Sequence, residues 1–543
     1  MMKMESWQQR YPDIRFFLSF FPYEKAELIH DSKPLEEWLE NLRLAEIEVL
    51  YISGLINFAL PIDLHNWLAE RKERTLVFVE KDLGAFAAFK EEKLLQNPQI
   101  HFHYAQEDPI DVLAEMFPTD RLAIFEGKPF DGALLKRKSA SLSALYSDVL
   151  YSHKIVENVT TNFQRLKGCF DARGKFEGVP AVICGAGPSL SKAIPALQNA
   201  KEKALIFAGG SAITALTQLG LQPHFAMALD PNDEEFDRLK QAHFFEGPFL
   251  FAPRLHRHVF CTSNGPFGYL KSDTGGFIEN FLEKELEISG DPIGPDLGPE
   301  AFSVTTLALA YAFAMGCNPI LFAGVDLAYT GGERYARGVK AEKMRAQDPS
   351  ALEERIMRKD IHGKDVETLL KWVMEAECIS TFAKKHPEVQ FFNCTGGGIG
   401  FAEVKNTALD EALANFSSQD FEGRIHQWIQ SSPLHFREEK LFQIFENLES
   451  SLERCETLCL EIIRLLEKES GKLVLHQSDF VDEMAYSWLL EGIDIALSRI
   501  LFRYYPHLDP NEGKRQREMA KYHELKRQIS KFKNIFNKRK AYA

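Results

Sequence analysis

Short apolar runs and amphipathic stretches alternate along the first part of the chain. Residues 47–54 (IEVLYISG) form a continuous apolar run closing on Gly54, and 62–72 carry a helical apolar stripe. Residues 75–81 (TLVFVEK) form a second run and 99–104 (QIHFHY) a third. Apolar runs separated by helices predict parallel strands covered on both faces. The same alternation returns further on, with runs at 181–184, 204–208, 225–229, 320–323 and 389–393. Between them, 189–200, 211–219 and 304–315 read as helices. Beyond 406 the strand pattern stops. Leucine-spaced stretches at 437–468 and 476–503 predict amphipathic helices. So does 513–540, with Met519, Tyr522, Leu525, Ile529, Phe532 and Phe536 on one side.

These patterns predict an α/β protein in three parts. Residues 1–165 read as a smaller N-terminal α/β domain and 166–405 as a Rossmann-like central domain. Residues 406–543 read as a C-terminal helical domain ending in a basic tail. Residues 168–180 (GCFDARGKFEGVP), with three glycines and a proline among charges, mark entry to the central part. The first strand ends in Gly54-Leu55-Ile56-Asn57-Phe58, one glycine followed by bulky residues. Glu80 still ends the second strand. The N-terminal domain is therefore expected to be Rossmann-like but free of cofactor.

Composition narrows the class. The 543 residues are 45% hydrophobic and 26% charged, within the globular range, and carry a net charge of −14. An acidic chain of this kind is not expected to bind nucleic acid. Residues 501–543 depart from it, with twelve basic and four acidic residues. They read as a solvated helix face, or as a docking face for an acidic partner or membrane surface. The eight cysteines include no CxxC pair and are expected to be reduced thiols of a cytoplasmic protein. The opening MMKMESWQQRYPD lacks the apolar core of a signal peptide. The longest apolar stretch, 302–328, is broken by Gly316, Asn318 and Pro319. It predicts a buried helix, a turn and a buried strand rather than a membrane span.

The candidate chemistry sits at strand ends. The run 181–184 leads into Gly185-Ala186-Gly187-Pro188-Ser189-Leu190 and a helix. Glycines admit close backbone approach, and free N–H groups at a helix start attract an anion. Pro188 suits the helix entry, and Ser189 reads as a cap or a phosphate donor. The next strand ends in Gly209-Gly210-Ser211-Ala212, and the one after in Asp230-Pro231-Asn232-Asp233. Ser303-Val304-Thr305-Thr306 open a helix with hydroxyls that cap it or bind phosphate or sugar. Asp326 follows the strand at 320–323, and Asn393-Cys394-Thr395 runs into Gly396, Gly397 and Gly398. In open α/β sheets such strand ends line the ligand crevice.

Together GAGPSL, the Gly-Gly-Ser-Ala turn, Asp-Pro, GCNPILFAGVDLAYTGG and NCTGGG resemble the motility-associated factor (Maf) glycosyltransferases. These share a core with MptE-like pyrophosphokinases and, distantly, with bacterial sialyltransferases that use CMP-sialic acid. The resemblance covers about 165–405 well and the rest loosely. It implies transfer of a nonulosonic, sialic-acid-like sugar from a CMP donor to a protein Ser/Thr hydroxyl. Gly185, Gly187, Pro188, Ser189, Gly210, Ser211, Ser303, Thr305, Thr306, Asn393, Thr395 and Gly396 are then the expected nucleotide-sugar contacts. Asp326 and Asp230 are the candidates for stabilising the oxocarbenium-like centre. His362, with His256 second, is the candidate base. No metal or resident cofactor is expected, and the expected partners are the nucleotide-sugar, an acceptor protein and a possible second copy of the chain. One departure is Tyr335, which stands where Maf proteins carry His. The alternatives are an ATP- and Mg²⁺-dependent 6-hydroxymethylpterin pyrophosphokinase-like enzyme and a catalytically silent nucleotide- or sugar-binding scaffold.

Overall fold

The computed structural model describes residues 11–106, 108–271, 276–294, 297, 303–336, 339, 355–468, 473–504 and 510–540. The first ten residues, and Arg337 and Gly338 beyond Tyr335, lie outside them. The chain divides into two compact units, 1–150 with 455–483 and 490–529, and 151–454 with 484–489 and 530–543. This differs from three consecutive segments. The helix at Ser152–Phe163 belongs with the central sheet, and the C-terminal helices are shared out between the units. An apolar stripe predicts that a helix packs, but not on which sheet.

In the first unit, strands β1 (Val49–Ser53), β2 (Thr75–Glu80), β3 (Ile100–Tyr104) and β4 (Leu122–Phe125) form a parallel sheet in the order β3-β2-β1-β4. Every residue of β1 and β2 is buried, as continuous apolar runs require. The loop after β1 is closed by the chain itself. Ile29 and Ile56 form a parallel bridge, and the Ile29 N–H donates to Leu55 O at 2.8 Å. Glu80, 1% exposed, accepts from the N–H groups of Leu55, Lys81 and Asp82 and from Lys128 Nζ at 2.7 Å. The oxygens that would meet ribose in a dinucleotide domain are thus occupied by protein donors. The helix Glu491–Tyr504 packs on Ile110–Met116 and Gly132–Leu150, with Arg499 paired to Glu115 at 2.6 Å.

The second unit is built on nine strands, β5 (Phe170–Asp171), β6 (Ala181–Cys184), β7 (Leu205–Gly209), β8 (Phe225–Ala228), β9 (Phe249–Phe251), β10 (Phe267–Tyr269), β11 (Ile320–Ala323), β14 (Phe391–Asn393) and β15 (Lys405–Asn406). Strands β12 (Arg355–Lys359) and β13 (Asp365–Leu369) form a separate antiparallel hairpin. The nine-stranded sheet runs β15-β14-β11-β6-β7-β8-β9-β10-β5, and every pairing in it is parallel. From β6 the chain steps outward through β7 to β10, then returns to lay β11 on the other side of β6. The β6/β11 boundary is therefore a topological switch point. The helix Val304–Ala314, apolar all round and buried from Thr306 to Ala312, packs over β6, β7, β8 and β11. Its position settles the long apolar stretch as helix, turn and strand. No described helix is long and apolar enough to cross a membrane.

Candidate active site at the switch point

A cavity of about 190 Å³ opens at the carboxyl ends of β6, β7, β8 and β11. Four of the five strand ends identified from sequence meet here because parallel strands present their C-terminal loops to one edge. Gly185, Gly187, Gly210, Ser211, Asp230, Ser303, Thr305 and Asp326 line it. Pro188, Ser189, Thr306, Asn393, Thr395, Gly396 and His362 do not. A larger cavity of about 360 Å³, between residues 167–170 and 429–438, holds none of these residues.

The Gly-x-Gly turn is occupied differently from the expected phosphate cradle. The Gly185 N–H donates to Ala323 O at 2.9 Å and the Gly187 N–H to Gly324 O at 2.8 Å. Ser189 is the N-cap of the helix Leu190–Ala200, but its hydroxyl caps nothing. It donates to Asp326 Oδ2 at 2.6 Å, and the Ser189 N–H donates to Asp326 Oδ1 at 3.3 Å. A buried carboxylate of the protein therefore takes the favourable place at this helix start. A Cβ at Gly187 would collide with that carboxylate, which is why glycine is needed there. Burial pushes the Asp326 carboxyl above its ordinary range, and the Ser189 donors offset part of that.

The late glycine loop braces the same acid. The Ile399 N–H donates to Asp326 O at 3.1 Å, and Gly398, at φ +79°, passes so close that a Cβ would overlap that carbonyl. The Thr395 hydroxyl accepts from the Val325 N–H, and Asn393 accepts from the Thr395 N–H and donates to Asn406. Both residues are buried and satisfied within the chain. They shape the loop rather than face the cavity. Gly396 lies beside Ser189, 3.9 Å from its Cβ to an ideal Cβ position.

The hydroxyl-rich helix start divides by role. Ser303 and Thr306 form a reciprocal capping box, and Thr306 is wholly buried. Thr305 lines the cavity, and Ser303 Oγ donates to Glu375 Oε1 at 2.6 Å. Glu375 lies on the helix Leu370–Lys385, which packs beside Val304–Ala314. Burial raises its pKa to about 7, against the opposing donors Ser303 and Thr305 and the charge of Lys371.

Sequence reasoning missed Glu375, and also Glu235, Arg238, Arg334 and Trp372, which line the same cavity. Arg238 Nη2 donates to Glu235 Oε2 at 2.7 Å and stands 3.5 Å from Asp230 Oδ2, while its buried Nε has no partner. Glu235 is pushed above the usual carboxylate range by burial, with Arg238 holding it down in part. The Arg334 guanidinium lies over the rings of Tyr335 and Trp372, 5.1 and 5.7 Å from their centroids. Tyr335 thus reaches the cavity, and the next residue ties the segment down, with the Ala336 N–H on Ala186 O at 2.8 Å. A flank of Asp and Glu preceding Arg at 233–238 was the one available signal for the Glu235–Arg238 pair.

The two histidine candidates fall elsewhere. His362 is exposed in the turn of the β12–β13 hairpin, where its N–H and that of Lys364 donate to Asp360. His256 is buried against Phe236 and hydrogen-bonds Asp233 Oδ1 at 3.1 Å, outside the cavity lining. Among the described residues no group of three or more His, Cys, Asp or Glu is placed to hold a metal ion.

Comparison with known proteins follows the same lines. Residues 153–332 match the family model described as 6-hydroxymethylpterin diphosphokinase MptE-like. No curated protein matches the chain. The structure of a Maf glycosyltransferase from Magnetospirillum magneticum AMB-1 matches 98% of this chain and 96% of its own, with a TM-score of 0.51. At 14% identity that likeness is one of fold. These findings bear out the resemblance to the Maf and MptE-like proteins and the α/β architecture read from the sequence.

Proposed function

We propose that the chain is a glycosyltransferase that moves a nonulosonic sugar from a CMP donor to a protein Ser/Thr hydroxyl. The observation that carries this reading is the switch-point cavity. It brings two guanidinium groups, of Arg238 and Arg334, and three carboxyls with raised pKa, Glu235, Asp326 and Glu375, beside the turns at Gly185–Gly187 and Gly210–Ser211. A nucleotide-sugar needs this combination. Its phosphate calls for cationic donors, the N–H groups of Gly185, Gly187 and Gly210 being engaged by carbonyls of the chain, and its sugar centre and acceptor call for carboxylates. The whole-chain fold shared with a glycosyltransferase supports it further.

Arg238 is suited to the departing phosphate, because it lines the cavity and its guanidinium is held in place by Glu235. Asp230, beside that guanidinium, is suited to the developing positive charge on the sugar. Asp326 acts chiefly by holding the Gly-x-Gly turn against the end of β11. The assay is turnover by the full chain of CMP-sialic acid, read as CMP release and as mass gained by proteins of the source cell. Sugar-sized mass additions support the reading, and donor left intact with every acceptor fraction counts against it.

A second reading is pyrophosphoryl transfer from ATP, favoured by the match of residues 153–332 to the diphosphokinase model. Mg²⁺-dependent AMP formation in place of CMP release would select it.

A further inference from the structure

Four carboxylates line the switch-point cavity, and three are engaged by strong partners within the chain. Asp326 holds Ser189, Glu235 is paired with Arg238, and Asp230 stands beside the same guanidinium. Glu375 is held in another way. The Ser303 hydroxyl donates to it at 2.6 Å, and Thr305 lines the cavity two residues further along the same helix start. The cation that acts on it, Lys371, lies one turn earlier on its own helix. A hydroxyl donor on one oxygen orients a carboxylate yet leaves it capacity to accept, since its two oxygens offer about four lone-pair positions.

We propose that Glu375 is the general base of the transfer, taking the proton from the acceptor hydroxyl. This rests on the nonulosonate-transfer reading above. A Glu375 oxygen accepts the O–H proton as the acceptor oxygen bonds the anomeric carbon of the sugar. The bond from that carbon to the phosphate oxygen breaks, and its electron pair leaves with CMP. Burial leaves Glu375 with a pKa of about 7, basic enough to accept a proton and ionised in good part at neutrality. The groups that act on it are Ser303 and Thr305 from the neighbouring helix start and Lys371 from its own. Asp230, Glu235, Arg238, Asp326 and Arg334 share the cavity. His362, the base expected from sequence, is exposed in a hairpin turn and lines no part of that cavity.

The test uses the full chain, CMP-sialic acid as donor and water as acceptor, with CMP release followed across pH and CMP binding measured by calorimetry. Wild-type release should rise with pH through about 7. Glu375→Gln should lower release by about a hundredfold or more while CMP affinity is kept, and added formate should restore part of it. Ser303→Ala removes a donor to the ionised carboxylate, so it should move the rising limb to higher pH, which a purely structural Glu375 would not do. Wild-type release from folded Glu375→Gln overturns the proposal and leaves the transfer reading standing. A limb unmoved in Ser303→Ala overturns it too, even if Glu375→Gln fails to fold. A wild-type chain that neither binds CMP nor releases it overturns both.

Discussion

Ser189 and Asp326, 137 residues apart, form one hydrogen-bonded unit, with hydroxyl to carboxylate at 2.6 Å and backbone N–H to carboxylate at 3.3 Å. The pair clasps the turn after β6 to the end of β11, the two strands that flank the switch point. Removing the carboxylate would leave two buried donors unmet, at about 1–3 kcal/mol each. Asp326→Ala should lower the unfolding free energy by that order, and Asp326→Asn, which keeps an acceptor oxygen, by less. Urea denaturation measures both. Wild-type stability in Asp326→Ala would show that the clasp contributes nothing.

Gly187→Ala puts a methyl group into the space of the Asp326 carboxylate. Overpacking of this kind costs about 1–3 kcal/mol. The substitution should destabilise the fold and weaken CMP binding together, because the turn it displaces lines the cavity. Loss of stability with unchanged CMP affinity would separate the turn from the ligand site.

Glu235 gives a pH signature. Its pKa rises from an ordinary 4.5 to about 7 in the folded chain. A carboxyl raised on folding contributes stability that is present below its unfolded value and is lost as pH rises through the folded one. The melting temperature should therefore fall between about pH 5 and about pH 8, and Glu235→Gln should shrink that fall. An identical fall in the variant would assign the dependence to other groups, Asp326 and Glu375 first.

In the N-terminal sheet, Glu80 accepts from three backbone N–H groups and from Lys128. Glu80→Ala strips four donors of their acceptor in a nearly dry place. By analogy with broken buried pairs it should cost about 3 kcal/mol. Thermal denaturation with CMP titration of the surviving fold would show lowered stability and unchanged affinity.

The strand ends were legible because parallel strands buried on both faces leave unbroken apolar runs, such as those at 75–81 and 320–323. The strands at Phe170–Asp171, Leu122–Phe125, Phe249–Phe251, Phe267–Tyr269 and Lys405–Asn406 were not read: two to four residues carry little signal, and equally short strands such as Ala181–Cys184 and Phe391–Asn393 were legible through the glycine-rich turns behind them. Gly185, Gly210, Asp230 and Thr305 were found because each ends a strand or begins a helix. Glu375 was not, since its importance comes from Ser303, 72 residues away, once two helices pack together. The Ser189 hydroxyl read as a phosphate donor for the same reason, its true partner being far along the chain.

The central claim is that the switch-point cavity binds the cytidine nucleotide of a sugar donor. Calorimetric titration of the full chain with CMP, and then with ATP and Mg²⁺, tests it most directly, with Arg238→Ala as the control. The account predicts saturable CMP binding that is lost in Arg238→Ala. Binding of ATP only with Mg²⁺, and none of CMP, would contradict it.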